Sequence, residues 1–293
     1  MELKRKSGFG RNRLSWQLSR EGVELSSDTI RHILRRYGFR GKRKARKVFY
    51  PAKWAWEEDE PFTLAQVDVK DILDKHTLGK RRWDHIRKRR LPRYQWTFCE
   101  AKTRLRFLSY SRELTLANGL AFLWVVMMWV RGHGLDTELV WQTDWGEEFG
   151  GTNPEKLELL NRRYYEPLGC RLGRIPKGRK GYNGRVERSH RTDDEEFYIP
   201  CLLDIPDEAT LLRRAWSWVY VYNVVRPHYG IGMGEKSPYR KLRELGYDLD
   251  ERFAMLAPII LDEISTDILI PVSYTHLRAH ETRHDLVCRL LLE

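Results

Sequence analysis

Cysteine is scarce: the 293 residues contain four, Cys99, Cys170, Cys201 and Cys288, at intervals that fit neither a disulfide framework nor a zinc site. A small disulfide-stapled fold is therefore excluded, and a reducing compartment is expected. Long apolar runs are also lacking. The longest, Leu120 to Val130, is too short to cross a bilayer and reads as a buried helix. No signal-peptide pattern opens the chain. Acid is in deficit, with 41 Asp and Glu against 53 Lys and Arg, a net charge of +12 and a pI near 9.5. Such a balance suits a polyanionic partner without identifying one.

Against that basic background, three carboxylates occupy unusual positions. Asp68 interrupts the apolar run Leu64 to Leu73, which reads as a core strand, and a buried carboxylate is costly unless a cation meets it. Asp144 follows the strand Glu138 to Gln142, where the chain enters a glycine turn. Glu187 lies one turn inside a charged helix that follows the basic, glycine-rich loop from Lys177, with Asn183 as its expected N-cap. Each has an ordinary reading as a turn or surface residue. Gathered by a fold, the three make a hard-oxygen set suited to Mg2+.

The words around these residues resemble those of bacterial insertion-sequence transposases with a retroviral-integrase-like core. Thr143-Asp144-Trp145-Gly146-Glu147-Glu148-Phe149 is similar to their Thr-Asp-Asn-Gly-x-Glu-Phe, and Asn183-Gly184-Arg185-Val186-Glu187-Arg188 to their Asn-Gly-x-x-Glu-Arg. Tyr222-Asn223-Val224-Val225-Arg226-Pro227-His228 is similar to a Tyr-Asn-x-x-Arg-Pro-His segment further on. The motifs stand in the family's order from about residue 10 to about residue 240. The resemblance implies an α/β fold: a ribonuclease-H-like, mixed five-stranded sheet flanked by helices. It also implies a catalytic triad of Asp68, Asp144 and Glu187 holding two Mg2+ (or Mn2+) ions, with Asp68 bridging them. Metal pairs roughly 3.5 to 4 Å apart serve both the entering and the leaving oxygen of an in-line phosphodiester displacement. The implied activity is DNA cleavage and strand transfer at element ends, by a homo-oligomer acting on double-stranded DNA in the bacterial cytosol, nucleoid-associated when bound. Two other readings stay open: a catalytically inactive DNA-binding relative, and a different nuclease of the same fold.

The expected organisation is a helix-turn-helix segment over 1–39, a basic linker over 40–60, the catalytic core over 61–245, and a C-terminal extension over 246–271. In the first, Leu14 and Leu18 share one helix face, and Ile30, Ile33, Leu34 and Tyr37 give the apolar stripe of a second helix capped by Ser26 or Ser27. Its outward side, Arg31, His32, Arg35 and Arg36, suits a major groove. This segment looks shorter than in relatives, where further helices precede the pair. Lys42, Arg43 and Lys44 of the linker, and Lys177, Arg179 and Lys180 of the glycine-rich loop, suit phosphates. Lys80-Arg81-Arg82 and Arg87-Lys88-Arg89-Arg90 fall in an insertion, Asp74 to Arg93, expected as an exposed excursion. Tyr94 to Glu100 and Leu105 to Arg112 read as a hairpin, with no chemistry assigned to Glu100. Where many relatives carry a cation two turns after the glutamate, this chain has Asp194, so Arg188 and Arg191 are the expected substitutes and Asp194→Lys is expected to raise DNA affinity. Ala257 to Ile270 reads as extended, the start of a small β-rich unit. From Val272 onward the sequence resembles a translated sequencing adapter, so His276, His280 and His284 are not read as a metal site.

Overall fold

The computed structural model describes residues 1–39, 60–178 and 180–265, apart from the side chain of Lys180. Lys42, Arg43, Lys44, Arg179 and the 272–293 tail lie outside the described residues. Five strands form one mixed sheet: β1 (Leu64–Asp71), β2 (Tyr94–Glu100), β3 (Arg106–Ser111), β4 (Leu139–Thr143) and β5 (Cys170–Arg174). Their spatial order is β3-β2-β1-β4-β5. The first three pair antiparallel, whereas β4 lies parallel to β1 and β5 parallel to β4. Glu100 makes the β2–β3 turn: buried, its carboxylate accepts from the backbone N–H groups of Phe62, Lys102 and Thr103 and from the Thr103 hydroxyl. A structural role for Glu100 therefore accounts for its burial.

The two faces of the sheet differ in chemistry. Ala65, Val67, Trp96, Phe98, Phe107 and Trp141 alternate onto an apolar face, packing with Phe122, Val126 and Phe149. Phe122 and Val126 belong to α6 (Leu116–Gly132), which Thr115 caps by accepting from the Asn118 N–H. Gly119 lets this helix approach the turn after β4, since a Cβ there would overlap the carbonyl oxygen of Glu148. The helix is not buried all round, as its sequence suggests, because Trp124 and Met128 are each 48% exposed on its outer side. On the opposite face the same alternation places the polar Gln66, Asp68, Gln95, Thr97, Arg106 and Gln142, with Leu108 and Tyr110 of β3 as its apolar part.

That polar face is covered by a helical rod. It begins as α8 (Gly184–Asp193), continues through a π-turn over Asp194–Tyr198, and ends in the short α9 (Ile199–Cys201). Beside it runs α10 (Glu208–Tyr220), whose Leu211, Ala215 and Val219 join Tyr110, Tyr198 and Leu202 in a second apolar cluster. The acidic run at the end of α8 is consumed internally. Asp193 meets Arg106 at 2.6 Å, both side chains fully buried, and also accepts from Trp218 and Gln95. Asp194 meets Lys70 at 2.9 Å, Glu195 meets Arg191 at 2.8 Å, and Glu196 meets Arg226 at 2.9 Å.

The insertion after β1 is a folded unit, not an exposed excursion. It forms α4 (Lys75–Leu78) and α5 (Lys80–Arg89), with Leu78, Ile86 and Leu91 buried in the second cluster, because its apolar residues recur at helical spacing and find the rod's far end. α7 (Pro154–Leu160) starts at its Asn153 cap as the sequence indicates. The N-terminal segment comprises α1 (Glu2–Ser7), α2 (Arg11–Arg20) and α3 (Ser27–Arg36), with Ser26 accepting from the Thr29 N–H and with Leu14 and Ile30 buried. It docks on the core. Arg13 joins the Glu196–Arg226 pair, and Gly8, at φ 67°, lies against the Glu195 carbonyl where any Cβ would clash.

Residues 251–265 also pack on the core. Phe253 stacks edge-on against Phe62 and Phe107, and α11 (Pro238–Glu244) precedes it. Of the expected extended stretch Ala257 to Ile270, residues 257–265 are described, and they contain one bridge, Ile260 to Tyr110, followed by α12 (Leu261–Ser265). Asp262 decides this locally, since its carboxylate accepts from Arg112 N, Glu113 N and the Asn118 amide, which ties the segment to the start of α6. Among the described residues no helix is long and apolar enough to cross a membrane.

Candidate active site

Strand pairing brings two of the three carboxylates to one region. β1 and β4 run parallel with Leu64 opposite Val140 and Gln66 opposite Gln142. Asp68 lies two residues further along β1, on the face of Gln66, and Asp144 is the first residue after β4, near enough for its charge to act on Asp68. Gln66-Val67-Asp68 and Gln142-Thr143-Asp144 are thus one pattern used twice.

The glutamines place the third. Gln66 Oε1 accepts from the backbone N–H groups of Arg185 (2.9 Å) and Val186 (3.2 Å), while its amide donates to the Tyr182 carbonyl at 2.7 Å. Gln142 donates to the same carbonyl at 3.0 Å and to Asn183 Oδ1 at 3.3 Å. The first turn of α8 is therefore capped from the sheet. Asn183, the expected cap, makes no capping bond; its amide donates to the Val67 carbonyl instead. Helix ends leave several N–H groups without partners, and here a strand side chain satisfies two of them. Gln66→Ala is expected to raise hydrogen-exchange rates of the Arg185–Glu187 amides about tenfold or more, as a loss of roughly 1–3 kcal/mol implies. Unchanged exchange there would show that Gln66 does not hold the turn.

Electrostatics mark this end of the sheet. Burial, together with the charges of Asp144, Glu187 and Glu148, pushes Asp68 up to about 7. Its side chain remains 23% exposed, open enough for a ligand to reach. His190, one turn beyond Glu187, has Nδ1 3.6 Å from Asp68 Oδ2 and Nε2 3.0 Å from the Thr97 hydroxyl. Burial pushes this histidine down to about 3, so it is neutral near pH 7 and the contact with Asp68 is not an ion pair. Glu148 is raised as well, chiefly by burial and also by Asp144. Arg174 shapes the loop after Asp144, donating to the Thr143 hydroxyl, the Asp144 carbonyl and the Phe149 carbonyl.

No protein-family model and no curated protein matches the chain. The site is therefore weighed on its own geometry. Its donor set, Asp68, Asp144 and Glu187 with Glu148 close by, is hard oxygen throughout, and its mutual repulsion is the kind a divalent cation relieves. Yet among the described residues no three or more His, Cys, Asp or Glu side chains converge tightly enough to hold a metal ion. The residues fit the ion in kind but do not converge on one in this arrangement, with Glu187 exposed and Asp144 accepting from the Gly146 N–H at 3.0 Å.

The residues expected to meet phosphate divide. His32, Arg35 and Arg36 are exposed on α3, while Arg31 is partly covered and 3.3 Å from Asp28. Lys177 is exposed and sits 4.9 Å from the centre of the Trp145 ring, next in sequence to Asp144. Arg188 is exposed; Arg191 is engaged with Glu195. The expectation for Asp194 fails. Its side chain is buried against Lys70, so a lysine there would meet that ammonium and not phosphate, and a loss of stability replaces the expected gain in affinity. Arg226 and His228, also buried, fasten the core.

Gln66, Gln142, Glu148, Arg174 and His190 were given no role from sequence. The glutamines had a signal: a long polar side chain at the alternate positions of an otherwise apolar strand, paired twice with an aspartate at the same interval.

Proposed function

We propose that the chain is a DDE-type transposase with a ribonuclease-H-like core, a Mg2+-dependent enzyme that cleaves DNA at the ends of a mobile element and joins them to a target. The observation that carries this reading is the parallel pairing of β1, which holds Asp68, with β4, which ends one residue before Asp144, together with the hydrogen bonds from Gln66 and Gln142 of those strands to the start of the helix that carries Glu187. The strand order, with antiparallel β3-β2-β1 followed by parallel β4 and β5, supports the fold assignment. The motif order along the sequence supports the family. Asp68, Asp144 and Glu187 would hold the metal, which when bound supplies charge stabilisation to both oxygens of the phosphodiester displacement. Arg35 and Arg36 of α3 would enter a major groove in helix-turn-helix fashion, and Lys177 would steady phosphate beside the carboxylates.

The test incubates labelled terminal-repeat duplex with the protein and Mg2+. Joined products are expected from the native chain. Asp144→Asn and Glu187→Gln are expected to lose joining by about 10²-fold or more while retaining most duplex affinity. Cleavage without joining would point to a nuclease, and a mobility shift without either to a binding protein. Robust joining by either variant would remove that residue from the triad.

A further inference from the structure

The helix α5 is attached firmly and charged heavily, and the two properties come from different residues. Attachment comes from Ile86, buried with Leu78 and Leu91, from Arg82, whose Nε donates to the Ile199 carbonyl at 3.0 Å, and from His85, whose Nε2 lies 2.8 Å from the Ile205 carbonyl. Charge comes from the opposite side. Lys80, Arg81, Arg87, Lys88 and the following Arg90 are all exposed, and none forms an ion pair among the described residues. Asp84 is the helix's single acid, and at intervals of four it has Lys80 before it and Lys88 after it. Cations crowded on one helix face repel each other, and apart from Arg87, which stacks 4.5 Å from the centre of the Trp83 ring, no described contact of α5 uses their side chains.

Place adds to charge. α5 sits against the far end of the rod that carries Glu187 near its beginning. From Glu187 to Ile199 is on the order of 18 Å at about 1.5 Å per helical residue. That is about half of one B-form turn of roughly 34 Å.

We infer that α5 is a second duplex-DNA surface, gripping phosphates about half a helical turn away from the carboxylates and independently of α3. This rests on the DNA-joining reading above. A rigid row of cations without base-reading geometry contributes affinity and register but no sequence preference. Each phosphate contact releases counterions and steepens the salt dependence of binding by about 0.9 in log–log slope.

The experiment measures duplex binding by fluorescence anisotropy between about 50 and 200 mM salt, the range in which phosphate contacts are most visible. It compares the full chain, a Lys80→Gln/Arg81→Gln/Lys88→Gln variant, and Asp84→Lys as the opposite change, with thermal unfolding checked for each. The triple variant is expected to bind with a slope shallower by about 2 to 3 and to weaken equally on terminal-repeat and unrelated duplex, and Asp84→Lys to bind with a steeper slope. If the native chain binds duplex and neither variant changes the slope, α5 is not a DNA surface although the functional reading stands. Loss confined to the terminal repeat would equally overturn the proposal, since it would mean base readout. If the native chain binds no duplex, the functional reading and this inference fall together.

Discussion

Asp68→Asn is expected to abolish strand joining and, in the metal-free protein, to remove a loss of stability that accompanies rising pH. Both follow from one cause. The carboxylate is held at about 7 by burial and by the charges of Asp144, Glu187 and Glu148, against an ordinary value of 3.8. A folded state that raises an acid in this way binds more protons than the unfolded chain between those two values. The stabilising contribution of the protonated form is therefore full below about pH 4 and disappears as pH rises through about 7. With the side chain still 23% exposed, the effect is at most a few kcal/mol. Urea unfolding in EDTA at pH 4.5 to 7.5 (about the window just derived) should show the native chain losing stability relative to Asp68→Asn as pH rises, a difference in which the opposite contribution of the buried, neutral His190 largely cancels. Added Mg2+ should restore stability at the upper end for the native chain only. A difference between the two chains that stays constant or shrinks across that window would mean that the Asp68 carboxylate is not burdened, and the site would lose its main physical argument.

Arg106→Met is expected to cost about 3–5 kcal/mol, the penalty for leaving a buried charge unmatched. Arg106 and Asp193 are both completely buried, and the guanidinium also stacks 3.5 Å from the centre of the Tyr222 ring. Burial alone would raise Asp193, but Arg106, Trp218 and Gln95 outweigh it and hold the acid below its ordinary value. The pair's contribution is accordingly present above about pH 4 and lost as pH falls through the lowered value. For a chain of this size the thermal midpoint should drop by roughly 5 to 10 °C. Asp193→Leu should cost a similar amount, whereas the double variant Arg106→Met/Asp193→Leu should recover much of the loss, because an apolar pair of similar volume avoids both desolvation penalties. Additive costs in the double variant would show that the two residues act separately.

The sequence determined the elements and most of their order. The apolar run of β1, the hairpin of β2 and β3, and the Ser26 cap and apolar stripe of α3 are local features, and local chemistry is enough to write them. It drew attention to Asp68 in an apolar strand and Asp144 at a strand end, whereas Glu187, in a charged helix, was singled out by the resemblance of its surrounding motif. Only the tertiary structure decided where the intervening charges went. The acidic run 193–196 looks like a solvated helix surface, yet each member is met by a cation from another part of the fold or from its own helix, Arg106, Lys70, Arg191 and Arg226. The sheet likewise chose its own glutamines over Asn183 to cap α8. The cause is the same in both cases: whether a charge or a helix end is satisfied depends on groups up to 124 residues away that meet it only after β1, β4 and α8 have been brought together, and spacing along the chain carries no record of that meeting.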